Sequence, residues 1–128
     1  MQTTSIRVIF RWIPVLLWGL VILVLSLMPG GPGNMNLFGI PHFDKVGHFG
    51  MYAIWTFLIF RAFSLSSNRS TKSWLLISVL LGVTMGIILE VGQLVMHQGR
   101  SFELADMFAN ALGAGIGACI GRFYFPRK

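Results

Sequence analysis

Acidic side chains are scarce in this chain of 128 residues, which holds only four of them against ten lysines and arginines. Charged residues make up 11% of the sequence and hydrophobic residues 55%, and the mean hydropathy is +0.73. So low a charged fraction excludes an ordinary soluble domain, where the share is about 25%. Nucleic-acid binding is not expected, because the basic residues stand singly or in pairs at the ends of apolar segments and form no basic stripe.

Cysteine is also scarce. The single Cys119 excludes an internal disulfide and a multi-cysteine metal site. It stands among glycine and alanine in an apolar segment, and we expect a small buried side chain there. The hydrolase patterns G-x-S-x-G and H-E-x-x-H are missing too. No cofactor is therefore expected.

Four long apolar segments fill the sequence between short connections that are polar or rich in glycine and proline. A helix needs roughly 20 mostly apolar residues to cross a hydrocarbon core of about 30 Å. The sequence therefore predicts an all-α polytopic membrane protein, a single domain over residues 1–128. Its four transmembrane helices are predicted at about 8–28, 45–62, 74–96 and 103–124. Asp44 and Ser73 are the expected N-caps of the second and third helices.

The lysines and arginines predict the orientation of these helices. Most of them flank the two chain ends and the connection between the second and third segments. Only Lys45 and Arg100 flank the other two connections. Under the positive-inside rule, both termini and the middle connection lie in the cytoplasm. The polar residues beside the other two connections are then predicted to face outward.

All four acidic residues stand beside or inside apolar segments, in stripes at helical spacing. Residues three or four positions apart share one face of a helix. The stripes are Asp44, His48 and Tyr52 on the second segment, Gly82, Gly86, Glu90, Gln93 and His97 on the third, and Asp106, Asn110, Gly113, Gly117 and Gly121 on the fourth.

Glycines at four-residue spacing allow helices to pack closely in lipid. We expect the third and fourth segments to form a hairpin in which the two glycine ladders face each other. This hairpin would bring Glu90, Gln93 and His97 close to Asp106 and Asn110. The stripe of the second segment is expected to join the same cavity, since a carboxylate at mid-bilayer costs about 2.5–3.5 kcal/mol.

A structural alternative applies to each of these side chains. Polar residues in membrane bundles often only hold helices together, at about 0.6 kcal/mol per hydrogen bond. Gln93 and Asn110 fit that role as readily as a functional one, and Glu103 is expected to be a first-turn acid favoured by the helix dipole. For the charged set and its histidine we favour function, because packing does not require charges; this set is Glu90, His48, Asp106 and Arg100.

The polar residues occur in a recognisable order: Asp44-Lys45-x-x-His48-x-x-x-Tyr52, Glu90-x-x-Gln93, Arg100, and Asp106-x-x-x-Asn110-x-x-Gly113-x-x-x-Gly117. Over residues 8–122 this order resembles the VanZ-like family of small bacterial membrane proteins. The resemblance implies a location in the bacterial cytoplasmic (inner) membrane, as part of the cell envelope. The family's namesake is linked to resistance to the glycopeptide teicoplanin. Family members often have a proline between Gln93 and Arg100, where this chain has none, so no role is carried over to His97.

The favoured function is binding or modification of an amphiphilic or lipid-linked envelope ligand at the outward-facing site. Arg100 would hold an anionic head group, because its guanidinium suits phosphate or carboxylate. The predicted ligand-binding residues are Asp44, Lys45, His48, Tyr52, Glu90, Gln93, Arg100, Asp106 and Asn110. The expected partners are the lipid bilayer and an anionic lipid or lipid-linked ligand. The oligomeric state stays open.

Three alternatives are left open. The first is an enzyme acting on lipid head groups, with His48, Glu90 and Asp106 as catalytic candidates. A metal-dependent version would add His97 to these three as zinc ligands. The second is a subunit whose polar residues only pack helices. The third, a proton or ion pathway, is disfavoured because the inner half of each segment is apolar or packed by glycine.

Overall fold

The computed structural model describes residues 2–28, 43–96 and 103–126, with side chains from residue 5 onward. Within these ranges the chain forms four helices and no strand: α1 (Gln2–Leu27), α2 (Phe43–Ser66), α3 (Thr71–Val95) and α4 (Leu104–Tyr124). All four are long and apolar enough to cross a membrane. The predicted all-α fold with four membrane-spanning helices is confirmed. The largest difference is at α1, which begins well before the predicted start at Val8.

Contacts at one end of the bundle show how the helices run. Lys45 near the start of α2 is hydrogen-bonded to Asp106 near the start of α4, and Gly117 farther along α4 meets Ala53 farther along α2, so these two helices are parallel. Gln93 near the end of α3 donates to the Ser26 carbonyl oxygen near the end of α1. Because only a short connection separates α2 from α3, these neighbours are antiparallel. We call the end where α2 and α4 begin and α3 ends the polar end.

Glycines let α4 approach the backbone of α2. A Cβ atom at Gly113 would collide with the Phe49 carbonyl oxygen, and one at Gly117 with the Ala53 carbonyl oxygen. Since both obstacles are backbone atoms, no rotamer change could make room for a side chain. The prediction that the α4 ladder faces α3 is therefore wrong: it faces α2.

The glycines of α3 face α4, and Gly82 also faces α2. A Cβ atom at Gly82 would lie 2.6 Å from Thr56 Cγ2 on α2 and 2.8 Å from the Cβ atom of Ala114, and one at Gly86 would lie 3.3 Å from the Cβ atom of Asn110. The surface of α4 that meets α3 is thus made of alanine and asparagine. Small side chains on two faces allow α4 to pack tightly against both neighbours.

Helix α1 is fixed to α2 by two tryptophan hydrogen bonds in opposite directions. The Trp18 indole donates to the Met51 carbonyl oxygen at 2.9 Å, and the Trp55 indole donates to the Val15 carbonyl oxygen at 3.0 Å. Both bonds give the indole N–H of a partly buried tryptophan a hydrogen-bond partner.

Three local predictions are wrong. Cys119 is exposed, because its neighbour Ala118 occupies the packed face of α4. The N-cap of α3 is Ser70, whose hydroxyl accepts from the Ser73 N–H at 3.2 Å, the reach a capping side chain needs. Asp44 lies inside the first turn of α2 and not before it, and its carboxylate accepts a hydrogen bond from a neighbouring lysine.

Candidate functional site

Charged and polar side chains from α2, α3 and α4 meet at the polar end. Four of them are almost completely buried: His48 is 3% exposed, Glu90 2%, Asp106 8% and Asn110 2%. All four acids of the chain belong to the set. We call it the polar cluster: Asp44, Lys45, His48, Glu90, Glu103, Asp106 and Asn110.

Lys45 connects three carboxylates from two helices. Its Nζ atom lies 3.1 Å from Asp44 Oδ2, 2.7 Å from Glu103 Oε2 and 2.9 Å from Asp106 Oδ1. An ammonium group has three hydrogens to donate, so these contacts use all of them. In this arrangement the three donors of Lys45 are taken by the protein's own acids, and none is left for an anionic ligand.

Glu103 was expected to serve only the helix dipole. It is the N-cap residue of α4, yet its side chain makes no capping hydrogen bond, and it pairs with Lys45 instead. One feature of the sequence pointed to this pair. Lys45 is one of only two basic residues that flank the α1–α2 and α3–α4 connections. Which acids a lysine reaches depends on how α2 packs against α4, and spacing within one helix does not reveal that.

A second group within the polar cluster contains both nitrogen and oxygen donors. His48, Glu90 and Asp106 each offer one ligand atom, and these atoms all lie within 4.8 Å of one another. We call these three residues the buried triad. Each comes from a different helix, so the triad forms only when α2, α3 and α4 pack together.

Asn110 fixes the orientation of the histidine in this triad. Its Oδ1 atom lies 3.1 Å from His48 Nδ1. An amide oxygen only accepts hydrogen bonds, so His48 Nδ1 is the donor in this contact. This contact holds the imidazole ring of His48 in one orientation, which both a metal ligand and a general base require.

The remaining predicted site residues lie outside the polar cluster or outside the described residues. Tyr52 is 1% exposed and packs with Ile22 and Leu89 in an apolar cluster, and it lies close enough to Glu90 for an electrostatic interaction. Gln93 does not turn toward α4: its amide donates to the Ser26 carbonyl oxygen at 2.7 Å and so faces α1. Arg100 and His97 lie outside the residues that the structure describes.

An apolar groove of about 300 Å³ runs between α3 and α4 at the level of the polar cluster. We call it the α3–α4 groove. Its walls include Val83 and Ile87 from α3, and Leu104, Met107 and Ala111 from α4. One polar side chain takes part in the lining, and it is Asn110, the partner of His48. The groove and the polar cluster therefore share a residue.

Comparison with known proteins identifies the family. A family model described as VanZ/LLP1 matches residues 2–125, nearly the whole chain. The chain belongs to the VanZ/LLP1 family. The VanZ-like resemblance of its polar residues is thereby confirmed.

Among curated proteins, this VanZ/LLP1 member is similar to an uncharacterized protein of the yeast Schizosaccharomyces pombe. The two are 29% identical over 108 residues, which cover 84% of this chain and 64% of the yeast protein. The chain thus spans less than two thirds of the length of that relative. No solved structure gives a comparable match. Because this relative is a eukaryotic protein, the location in a bacterial inner membrane stays a prediction.

Proposed function

We propose that this VanZ/LLP1 protein binds a membrane amphiphile, with a hydrocarbon chain in the α3–α4 groove and the head group at the polar cluster. The observation that carries the proposal is the position of Asn110. Its side chain lines the groove and is hydrogen-bonded to buried His48. One residue thus connects an apolar surface to a buried set of charged groups. An amphiphile is divided in the same way, into an apolar chain and a polar or charged head group.

The size of the groove supports this proposal. A volume of about 300 Å³ lies at the lower end of the range for small-molecule sites. A second apolar groove, between α2 and α4, is lined by residues such as Ala53, Phe57 and Tyr124, none of which belongs to the polar cluster. Lipid chains can occupy either groove, but only the α3–α4 groove places a head group beside the polar cluster.

The finer parts of the proposal concern the ligand and its side of the membrane. The positive-inside distribution of lysines and arginines supports placing the polar end on the outer face. A site there would take lipid-linked components of the envelope, which agrees with the link between the family's namesake and a glycopeptide. Arg100 stays the predicted contact for an anionic head group.

A second candidate function is chemistry on that head group. The observation that favours it is the buried triad, in which the donor atoms of His48, Glu90 and Asp106 lie within 4.8 Å of one another. A histidine held in one orientation beside carboxylates is the arrangement of a general base. Head-group release from labelled lipids by the wild type, and its loss in H48Q, would establish catalysis. Turnover that is equal in the two proteins would exclude it.

Lipid retention tests the binding proposal. The full chain is purified in mild detergent, and bound lipids are counted by native mass spectrometry. A111F places a large ring in the groove, whereas L112F places the same ring on an exposed position of α4 outside it. We expect the wild type and L112F to retain lipid and A111F to lose most of it. A folded A111F protein that retained the same lipid as wild type would contradict the proposal.

A further inference from the structure

The end of the bundle opposite the polar end is basic. It is formed by the start of α1, the end of α2, the start of α3 and the end of α4. We call it the basic end, and its described lysines and arginines are Arg7, Arg11, Arg61, Arg69, Lys72 and Arg122. All four acidic residues of the chain lie at the polar end instead. The charge of the basic end therefore suits an anionic membrane surface.

Arg61 differs from the other cations of this end because it lies inside a membrane-spanning helix. It stands five residues before the end of α2 at Ser66, which is about 7.5 Å along the helix at 1.5 Å per residue. It is partly buried, and no carboxylate of the described residues forms an ion pair with its guanidinium. The guanidinium of Arg11, by contrast, donates to the Leu65 carbonyl oxygen. A cation at the depth of Arg61 is stabilised by anionic groups of the membrane interface.

The groove between α2 and α4 begins one helical turn from Arg61. We call it the α2–α4 groove. It has a volume of about 250 Å³, and its lining residues are Ala53, Ile54, Phe57, Gly117, Ile120 and Tyr124. Ile54, Phe57 and Arg61 follow one another at three- and four-residue spacing, so they share one face of α2. The face that lines the groove thus carries an arginine at its basic end.

The contacts of α4 place the end of this groove at the level of lipid head groups. A Cβ atom at Gly121 would lie 2.9 Å from the Cβ atom of Phe60, so Tyr124, one turn farther along α4, lies close to the level of Arg61. The Tyr124 ring packs edge to face on Phe57 with ring centroids 6.4 Å apart, and the residue is 68% exposed. Tyrosine is typical of the membrane–water interface, where its ring meets acyl chains and its hydroxyl meets head groups.

We propose that the α2–α4 groove and Arg61 bind one anionic phospholipid from the leaflet at the basic end. An acyl chain lies in the groove, and the planar guanidinium of Arg61 donates to the lipid phosphate. A head group with a net negative charge is favoured over a zwitterionic one, since none of the described residues at the basic end is acidic. A second copy of the chain is a poorer occupant, because a copy in the same orientation would bring its own basic end to this level.

This site goes beyond the proposed function. It lies at the opposite end of the bundle and uses no residue of the polar cluster, and none of its residues lines the α3–α4 groove. A phospholipid at an open groove exchanges with the bulk membrane and is lost on purification, so the tests add lipid back to the purified protein.

The first test compares two phospholipids on the full chain in detergent. Phosphatidylglycerol or phosphatidylcholine is titrated into the purified protein, and native mass spectrometry counts the bound lipid. We expect one phosphatidylglycerol to bind saturably and more tightly than phosphatidylcholine. Equal binding of the two lipids would overturn the inference.

The second test separates Arg61 from the general charge of the basic end. R61Q and R122Q each remove one positive charge from this end. Arg122 lies on another face of α4, because Ile120 and Tyr124, which line the groove, are each two positions away from it. R61Q should weaken phosphatidylglycerol binding by about 10–100-fold, the effect of losing a hydrogen bond to a charged group, and R122Q should weaken it much less. Equal losses in the two variants would overturn the inference.

The third test fills the groove. I120W places a large ring in its lining, whereas I116W places the same ring one turn earlier on α4 at another exposed position outside the lining. I120W should lose phosphatidylglycerol binding, and I116W should keep it. A folded I120W protein that binds as the wild type does would overturn the inference. So would a dimer in the mass spectrum that I120W disrupts and added lipid does not, because a second copy would then occupy the groove. If I120W does not fold, the comparison of R61Q with R122Q decides.

A111F keeps this inference distinguishable from the proposed function. It should lose the lipid retained in the α3–α4 groove and still bind added phosphatidylglycerol as the wild type does. Retention without phosphatidylglycerol binding would refute the site at Arg61 and leave the amphiphile function intact. Phosphatidylglycerol binding without retention would refute the amphiphile function and leave the site at Arg61 intact.

Discussion

At Gly117 the fourth helix has no room for a side chain. An added Cβ atom would overlap the Ala53 carbonyl oxygen and Thr56 Oγ1 on α2. Gly115, two positions earlier on the same helix, has nothing within 4 Å of an added Cβ atom. The two glycines therefore differ in packing, although both lie on α4.

Alanine at these two positions tests the close approach of α2 and α4. G117A should lower the free energy of unfolding by about 1–3 kcal/mol, the usual cost of overpacking. G115A should be neutral or raise it by up to about 1 kcal/mol, because alanine is the better helix former. Reversible unfolding in mixed detergent micelles measures both. Equal effects of the two substitutions would contradict the packing described here.

Individual residues show which parts of the helix packing could be predicted from the sequence. Four-residue spacing correctly predicted that Gly113, Gly117 and Gly121 form a packing face, and the structure places Gly115 outside it. Spacing within one helix cannot say which neighbour meets that face, so the partner of the α4 ladder was predicted wrongly. The same limit explains Gln93, which is buried on α3 but whose hydrogen bond goes to α1 and not to α4.

At the scale of helices, Lys45 joins the starts of α2 and α4 through carboxylates of unequal exposure. The side chain of Glu103 is 48% exposed and that of Asp106 is 12% exposed. If the Lys45 ammonium group is removed, water can hydrogen-bond to the exposed carboxylate of Glu103 in its place, but water reaches the carboxylate of Asp106 poorly. The pair with Asp106 should therefore contribute more to the packing of the two helices.

Substitutions of the two partners should separate these contributions. K45M leaves Asp106 buried without its ammonium partner, and we expect a loss on the order of 3–5 kcal/mol, as for other broken buried pairs. E103Q should cost less than about 1 kcal/mol, as exposed pairs do. The double variant K45M/D106N should recover part of the stability lost in K45M. Unfolding in mixed micelles is the measurement, and an E103Q protein as unstable as K45M would refute this ranking.

At the scale of the whole molecule, the sequence predicted the class of protein and the number of helices. Apolar length and hydropathy are properties of single segments, so these predictions needed no packing information, and all four membrane-capable helices are present. The polar cluster was predicted in part, because buried acids had to meet somewhere. The α3–α4 groove was missed, since it exists only between two packed helices.

The orientation of the bundle can be tested by labelling, with Cys119 replaced by serine. Asn68 lies in the connection between α2 and α3, and Ala105 is exposed at the polar end. In intact cells, a membrane-impermeant maleimide should label A105C and leave N68C unlabelled until the membrane is opened. The reverse pattern would place the polar end in the cytoplasm and exclude an outward-facing site.

The measurement that tests the central claim most directly is photo-crosslinking of lipids in the native membrane. One probe carries a diazirine in its acyl chain and a second carries it in the head group, and crosslinked peptides are located by mass spectrometry. We predict that the chain probe labels residues 104–111 of α4, and that the head-group probe labels peptides of the polar cluster. Labelling spread evenly around the lipid-facing surfaces of all four helices would contradict the account.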